Sequence, residues 1–159
     1  MAMSSTAEDG PPPADDTVAT ARYLEDLAIR LMLAHNKLDD PQSKDLIRLH
    51  MDPHFQMVDD SPHNCPFPPS NNLDTHLHNV AQHYKTHPDF EIRIHNVTAQ
   101  VDEDGRHAIV WLTEAGAGSL DNKMFNRESV SRLYFRWRKR DRKWSWYKHN
   151  CVRGSGNFF

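Results

Sequence analysis

Cysteine is nearly absent: Cys65 and Cys151 are the two in 159 residues, and they form no closely spaced pair. Neither a disulfide framework nor a cysteine-based zinc motif is expected, and without an export signal both thiols are expected to be reduced. Long apolar runs are missing too. Nothing approaches the roughly 18 consecutive apolar residues of a membrane span, and the N-terminal residues lack the basic-then-apolar order of a signal peptide. A cytoplasmic protein with no membrane partner is therefore expected. The six glycines are few and scattered. Gly105, Gly116, Gly118, Gly154 and Gly156 fit turns and a tail, and no phosphate loop, dinucleotide fingerprint or nucleophile elbow occurs, so nucleotide-dependent chemistry is not expected. Basic residues are absent from the first sixteen positions, which carry Glu8, Asp9, Asp15 and Asp16.

What is present suits one globular domain, with 38% apolar and 26% charged residues. A chain of this length buries roughly two-thirds of its unfolded surface and needs no staple. Residues 1–16, with the Pro11-Pro12-Pro13 run, read as a disordered arm. Residues 17–153 read as a single domain, and 154–159 as a flexible tail or lid. The opposite end is basic: from Arg127 to Arg153 there are ten Lys or Arg against Glu128 and Asp141. The run from Arg136 to Trp144 interleaves basic and aromatic residues, a pattern that can meet nucleic acid. A hairpin tip also carries charge for solubility, and strand alternation hides Trp137 from the arginines opposite, so nucleic acid is not an expected partner.

Periodicity then sets the elements. Asp16 or Thr17 offers an N-cap, and Leu24, Leu27, Ala28, Leu31, His35 and Leu38 make one buried helical stripe to about residue 37. Asp39-Asp40-Pro41 breaks it, Ser43 can cap a short helix to about His50, and Phe55 to Asp60 reads as a strand. Ser61 to Ser70, with four prolines, reads as a loop that carries Cys65 and Phe67. Asn71 or Asn72 can cap a third helix, with Leu73, Leu77, Val80, Ala81 and Tyr84 on one face, ending before Pro88. The period then changes to strands over 90–101, 108–115, 130–138 and 144–152, separated by the Asp102 to Gly105 turn, a 116–126 loop and a 139–143 turn. Helices followed by antiparallel strands predict an α+β domain, with the helices on one face of a curved sheet.

Several pieces in this order resemble the SnoaL-like polyketide cyclase branch of the nuclear transport factor 2-like superfamily, related to ketosteroid isomerase and scytalone dehydratase. They are Ala34-His35-Asn36-Lys37-Leu38-Asp39, Phe55-Gln56-Met57-Val58-Asp59-Asp60, His87-Pro88-Asp89-Phe90, Ala108-Ile109-Val110-Trp111-Leu112-Thr113 and Trp144-Ser145-Trp146-Tyr147. The resemblance covers about residues 20–152. It implies a cone-shaped sheet wrapped around the N-terminal helices, and chemistry without a cofactor in a blind apolar cup. It also has departures. Ala115-Gly116-Ala117-Gly118 stands where the cyclases carry a histidine, and scytalone dehydratase's first pocket histidine falls on Ile92, so neither specific activity transfers.

The resemblance places a proton-shuttling carboxylate at Asp60 or Asp59, of which alternation allows one to face inward. It also turns Tyr147, His149 and Cys151 of the last strand toward the cup, with Trp146, Lys148 and Asn150 facing away. A three-residue hairpin turn would put Phe135 opposite His149 and Leu133 opposite Cys151, on an inner face shared with Trp137 and Tyr147; a two-residue turn would not. His149 then serves as acid and Tyr147 as a donor to a substrate oxygen. Glu114, at a strand end, and His35, on the apolar stripe of the first helix, are further candidates for the lining.

The eleven histidines include helical pairs, His50 with His54 and His83 with His87. No His-Glu-x-x-His pattern is present, and no metal is expected. Tyr134, Arg132, Arg136, Trp144 and Trp146 read as an aromatic outer sheet face, which predicts a homodimer through the sheet. The expected activity is isomerisation, cyclisation or dehydration of a hydrophobic oxygenated small molecule of polyketide or terpenoid type, in secondary metabolism. The alternative is a non-catalytic dimeric module that binds a ligand or a protein.

Overall fold

The computed structural model describes residues 16–58, 67–120 and 123–153. The arm before Asp16, Asp59 and Asp60, the loop to Pro66 with Cys65, and the tail from Gly154 lie outside the described residues. The elements are α1 (Thr17–Ala34), a 3-10 turn (His35–Lys37), α2 (Pro41–His50), β1 (Met51–Val58), α3 (Leu73–Thr86), β2 (Glu91–Val101), β3 (His107–Leu120), β4 (Lys123–Arg138) and β5 (Lys143–Arg153). This is the expected α+β order, helices ahead of a curved five-stranded sheet.

Local chemistry explains the starts. The Asp16 carboxylate accepts from the Val18 and Ala19 N–H groups, Asp40 from Ser43 with Pro41 in the first turn of α2, and Asn72 from Thr75. Each satisfies donors that a helix start leaves without partners. The cap of α2 is thus Asp40, not Ser43. Leu24, Leu27, Ala28 and Leu31 of α1 are fully buried with Phe55, Leu112, Leu133, Phe135 and Trp146. Along the exposed edge, Glu25 accepts from the Ala99 N–H at 2.9 Å, tying α1 to β2. Asn36 clamps the start of β2: it accepts from the Ile92 N–H at 2.9 Å, donates to the Ile92 carbonyl at 3.0 Å, and accepts from the Tyr84 hydroxyl of α3.

The strand order is β1-β5-β4-β3-β2. β1 joins β5 in parallel, and the other pairs are antiparallel. β1 begins at Met51, earlier than the apolar pattern suggests; it is an edge strand, where Pro53 is tolerated. The 116–126 segment is not a loop, because β3 runs on to Leu120 and β4 starts at Lys123. Phe90 requires the small residues there: a Cβ on Gly116 would lie 2.8 Å from the Phe90 ring, and one on Gly118 3.1 Å from Phe90 Cα. The glycines permit close approach within a strand.

A bulge in β5 corrects the inner face. Phe135 pairs with Trp146 but Tyr134 pairs with Lys148, so Tyr147 is an extra residue. Below it His149 and Cys151 face the interior; above it Trp144 and Trp146 do, both fully buried. Tyr147 is turned to the outer face, its ring 4.8 Å from the Arg136 guanidinium carbon and 6.3 Å from the Tyr134 ring. The partners also differ from those expected: Leu133 lies opposite His149 and Ser131 opposite Cys151. The hairpin connection spans four residues between Arg138 and Lys143, and together with the extra Tyr147 it moves the pairing beyond the bulge by two, with Leu133 and Phe135 still inward.

Candidate functional site

The inner face of three neighbouring strands brings together Glu114 of β3, Ser131 of β4, and His149 with Cys151 of β5, all buried. The Ser131 hydroxyl donates to Glu114 Oε1 and lies 2.9 Å from His149 Nε2. Its single hydrogen goes to the carboxylate, so the imidazole Nε2–H is the donor on its other side. Glu114 Oε2 is buried and has no hydrogen-bond partner among the described residues. Burial, opposed by His149, Ser131 and Ser129, pushes Glu114 from 4.5 up to about 7. A carboxyl that gains and loses its proton near neutrality, with one oxygen held and one available, is matched to general acid and base work.

A second group meets this one. His35, at the end of α1, points its Nδ1 at the Leu31 carbonyl, 2.8 Å away, and its Nε2 at His76 Nε2, 3.1 Å away. Burial, against the pull of the Leu31 carbonyl, lowers His35 to about 4. Burial, then His35 and His149, hold His76 well below the ordinary imidazole range. Trp146 lies between the two groups, its ring 5.8 Å from His35 and 5.4 Å from His149, and Phe55 and Phe67 flank His76 at 4.7 and 6.0 Å. Apolar rings thus surround neutral polar atoms.

Of the residues singled out from sequence, His149, Glu114 and His35 come together here, and Leu133 is the strand partner of His149. Phe135 stacks on Trp146 at 6.3 Å, one step further along β4. Trp137 does not reach the cluster: it packs on Trp144 at 5.8 Å near the hairpin, six residues and roughly 20 Å along the strand from Ser131. Tyr147 is on the other face. Asp59 and Asp60 lie outside the described residues; β1 is described to Val58, where Met57 pairs with His149 and Val58 with Asn150. Ser131 and His76 are additions. His76 carried a readable signal, since it sits at helical spacing from Leu73 and Val80 on the apolar face of α3.

Glu114, His149 and Cys151 each bring one donor atom within 4.8 Å of the others, a donor set of the type zinc takes. The Ser131 hydroxyl bridges two of the three, which is the arrangement of a proton relay, and we assign no ion to it. The exposed Asp102, Asp104 and His107 form a second such group at the β2–β3 turn. There Asp104 and His107 already pair at 2.8 Å.

The outer face is also not as expected. Trp144 and Trp146 belong to the core, and among the described residues the exposed aromatic is Trp111, 40% accessible, with the Arg132 guanidinium carbon 5.6 Å from its ring. Lys148 lies over Tyr134 at 4.9 Å, and Arg136 pairs with Asp52 at 2.6 Å. Among the described residues no helix is long and apolar enough to cross a membrane.

No protein-family model matches the sequence, and no curated protein is significantly similar to it. Solved structures do match. A hexachlorocyclohexane dehydrochlorinase from Novosphingobium barchaimii superposes with a TM-score of 0.70 at 12% identity, covering 89% of this chain and 91% of that one. A protein from Novosphingobium aromaticivorans, described as NTF2-like with a cystatin-like fold, gives 0.66 at 13% identity, over 90% and 93%. The CaMKII hub of S. rosetta gives 0.59 at 12% identity, over 84% and 96%. At such identities the likeness is one of architecture. The chain therefore has the nuclear transport factor 2-like fold, a curved sheet closed against its N-terminal helices.

Proposed function

We propose that the inner face of the sheet is the site of a cofactor-free isomerase, cyclase or dehydratase that acts by general acid and base chemistry on a hydrophobic, oxygenated small molecule of polyketide or terpenoid type. The observation that carries this reading is the buried Glu114–Ser131–His149 relay, with Glu114 Oε2 lacking a hydrogen-bond partner among the described residues. Protonated, Glu114 donates from Oε2 to a substrate oxygen; ionised, it takes a proton back, while Ser131 and His149 adjust the polarity of the chain behind it. Asp60 or Asp59, in the segment that follows β1 in the chain, serves in this reading as the second carboxylate and the base, with His149 as its acid partner. The dehydrochlorinase of the same fold is a precedent for lyase chemistry on this scaffold.

A second reading concerns assembly. The exposed Trp111 and the cation-aromatic contacts around it suit a homodimer through the outer sheet face, and the hub with the same fold makes an assembly role a natural one.

The test of the catalytic reading is thermal stabilisation of the purified full chain by hydroxylated aromatic polyketides, steroids and terpenoids, with single-stranded RNA as control. A ligand at about 100 times its Kd adds roughly 2.7 kcal/mol, a shift of several degrees for this size. The expected result is a shift with one small-molecule class that E114Q weakens. No shift with any class would overturn the reading.

A further inference from the structure

We infer that His76 is a substrate-recognition residue: its Nδ1 is a preset hydrogen-bond acceptor that selects, among small molecules entering the cup, those presenting a hydroxyl to it. The inference rests on the small-molecule reading above and adds a requirement on the ligand.

The polarity of the chain from α1 to α3 is determined link by link. The Leu31 carbonyl can only accept, so His35 Nδ1, 2.8 Å away, carries a hydrogen. His35 is neutral, because burial lowers it to about 4, and its Nε2 is therefore a bare lone pair. His76 Nε2, 3.1 Å from that lone pair, must then be the N–H donor. His76 is held neutral by burial and by His35 and His149, which leaves its Nδ1 unprotonated. That nitrogen is buried and has no hydrogen-bond partner among the described residues, while Phe55 and Phe67 take up the space beside the ring.

A buried acceptor without a partner is costly and uncommon in a folded protein. Here its orientation is enforced from behind by His35: exchanging the lone pair for an N–H would break the His35–His76 hydrogen bond and set two bare Nε2 lone pairs against each other. A ligand hydroxyl satisfies it, whereas a carbonyl or ether oxygen meets it lone pair to lone pair. Glu114 Oε2 offers the complementary choice, a donor when protonated. His76 acts by holding one end of the ligand and not by storing a proton, since its environment disfavours the imidazolium.

The test uses 2-naphthol and its methyl ether, 2-methoxynaphthalene, with the full chain. Binding is read by quenching of tryptophan fluorescence, Trp146 being close to His35. The expected result is about tenfold tighter binding of the naphthol, with the preference lost in H76L. Nitrogen-15 spectra of the wild-type histidines keep the inference testable if H76L does not fold. They should show His76 as the Nε2–H tautomer, with an Nδ1 resonance that moves on adding naphthol and stays put with the ether. Equal affinity for the two probes, a preference that survives in H76L, or a proton on Nδ1 would overturn the inference and leave the small-molecule reading standing. If neither probe binds, the small-molecule reading itself is overturned and the inference with it.

Discussion

The Ser131 hydroxyl and His149 Nε2 meet at 2.9 Å on the inner face of β4 and β5. The same hydroxyl donates to Glu114 of β3, so that an imidazole and a carboxylate on non-adjacent strands share one bridge. Removing the carboxyl charge while keeping its shape should stop proton transfer and leave packing intact. E114Q is expected to lose about a hundredfold or more in turnover of whichever substrate class stabilises the protein, with an unchanged circular dichroism spectrum. Turnover within a few fold of wild type would remove Glu114 from the chemistry.

Burying the Glu114 carboxyl carries a cost in stability. Its folded pKa of about 7 exceeds its unfolded 4.5. The folded state therefore binds the extra proton between those values, and stability falls as pH rises from 4.5 to 7. The loss is about 3 kcal/mol above pH 7. E114Q should abolish this limb, making the variant more stable than wild type at pH 8 in urea denaturation and little different at pH 4.5. Parallel pH profiles for the two proteins would contradict this.

The histidine pair works in the opposite direction. With His35 lowered to about 4 from 6.5, the unfolded chain binds its proton first, and stability is lost as pH falls from 6.5 through 4. His35 accounts for about 3 kcal/mol of that loss, and His76, lowered for the same reason, adds to it. The double variant H35L/H76L removes both titrations and should flatten the acid limb of the denaturation midpoint against pH. An unaltered limb would assign it to other groups.

Gly116 tests the packing at the start of β2. A methyl group there must displace the Phe90 ring, 2.8 Å from the Cβ position. G116A should destabilise by about 1–3 kcal/mol in urea, as overpacked sites do, and F90L should relieve part of it. Additive effects of the two changes would show that the residues do not meet.

For assembly, the prediction is a dimer in analytical ultracentrifugation that W111E converts to monomer without loss of secondary structure. Trp111 is on the outer face, so the change should not disturb the core. A wild-type monomer at micromolar concentration would exclude the dimer reading.

Much of the fold was legible because its signals are local. The stripe of α1, the break at Asp39-Asp40-Pro41 and the Asn71-Asn72 start of α3 are each written within a few residues, although the cap of α2 proved to be Asp40 and not Ser43. Register is not local in this sense. The bulge at Tyr147 has no mark in the sequence, and one extra residue turned Tyr147 outward and Trp146 inward. The Gly116 segment read as a loop because glycine usually punctuates; here it marks the approach of Phe90, 26 residues earlier in the chain. At the site, alternation grouped His149 with Cys151 on one face of the last strand, and the family resemblance turned that face inward and made Glu114 a candidate for the lining. The Ser131 bridge needed the pairing of β3, β4 and β5, and His76 needed the packing of α3 against the end of α1.

The account stands on a carboxyl tuned to neutral pH inside the sheet. The most direct measurement is a carbon-13 titration of the Glu114 side-chain carboxyl in the folded protein. The structure predicts a midpoint near 7. A midpoint at the ordinary 4.5 would show a solvated, untuned carboxylate and contradict the proposed chemistry.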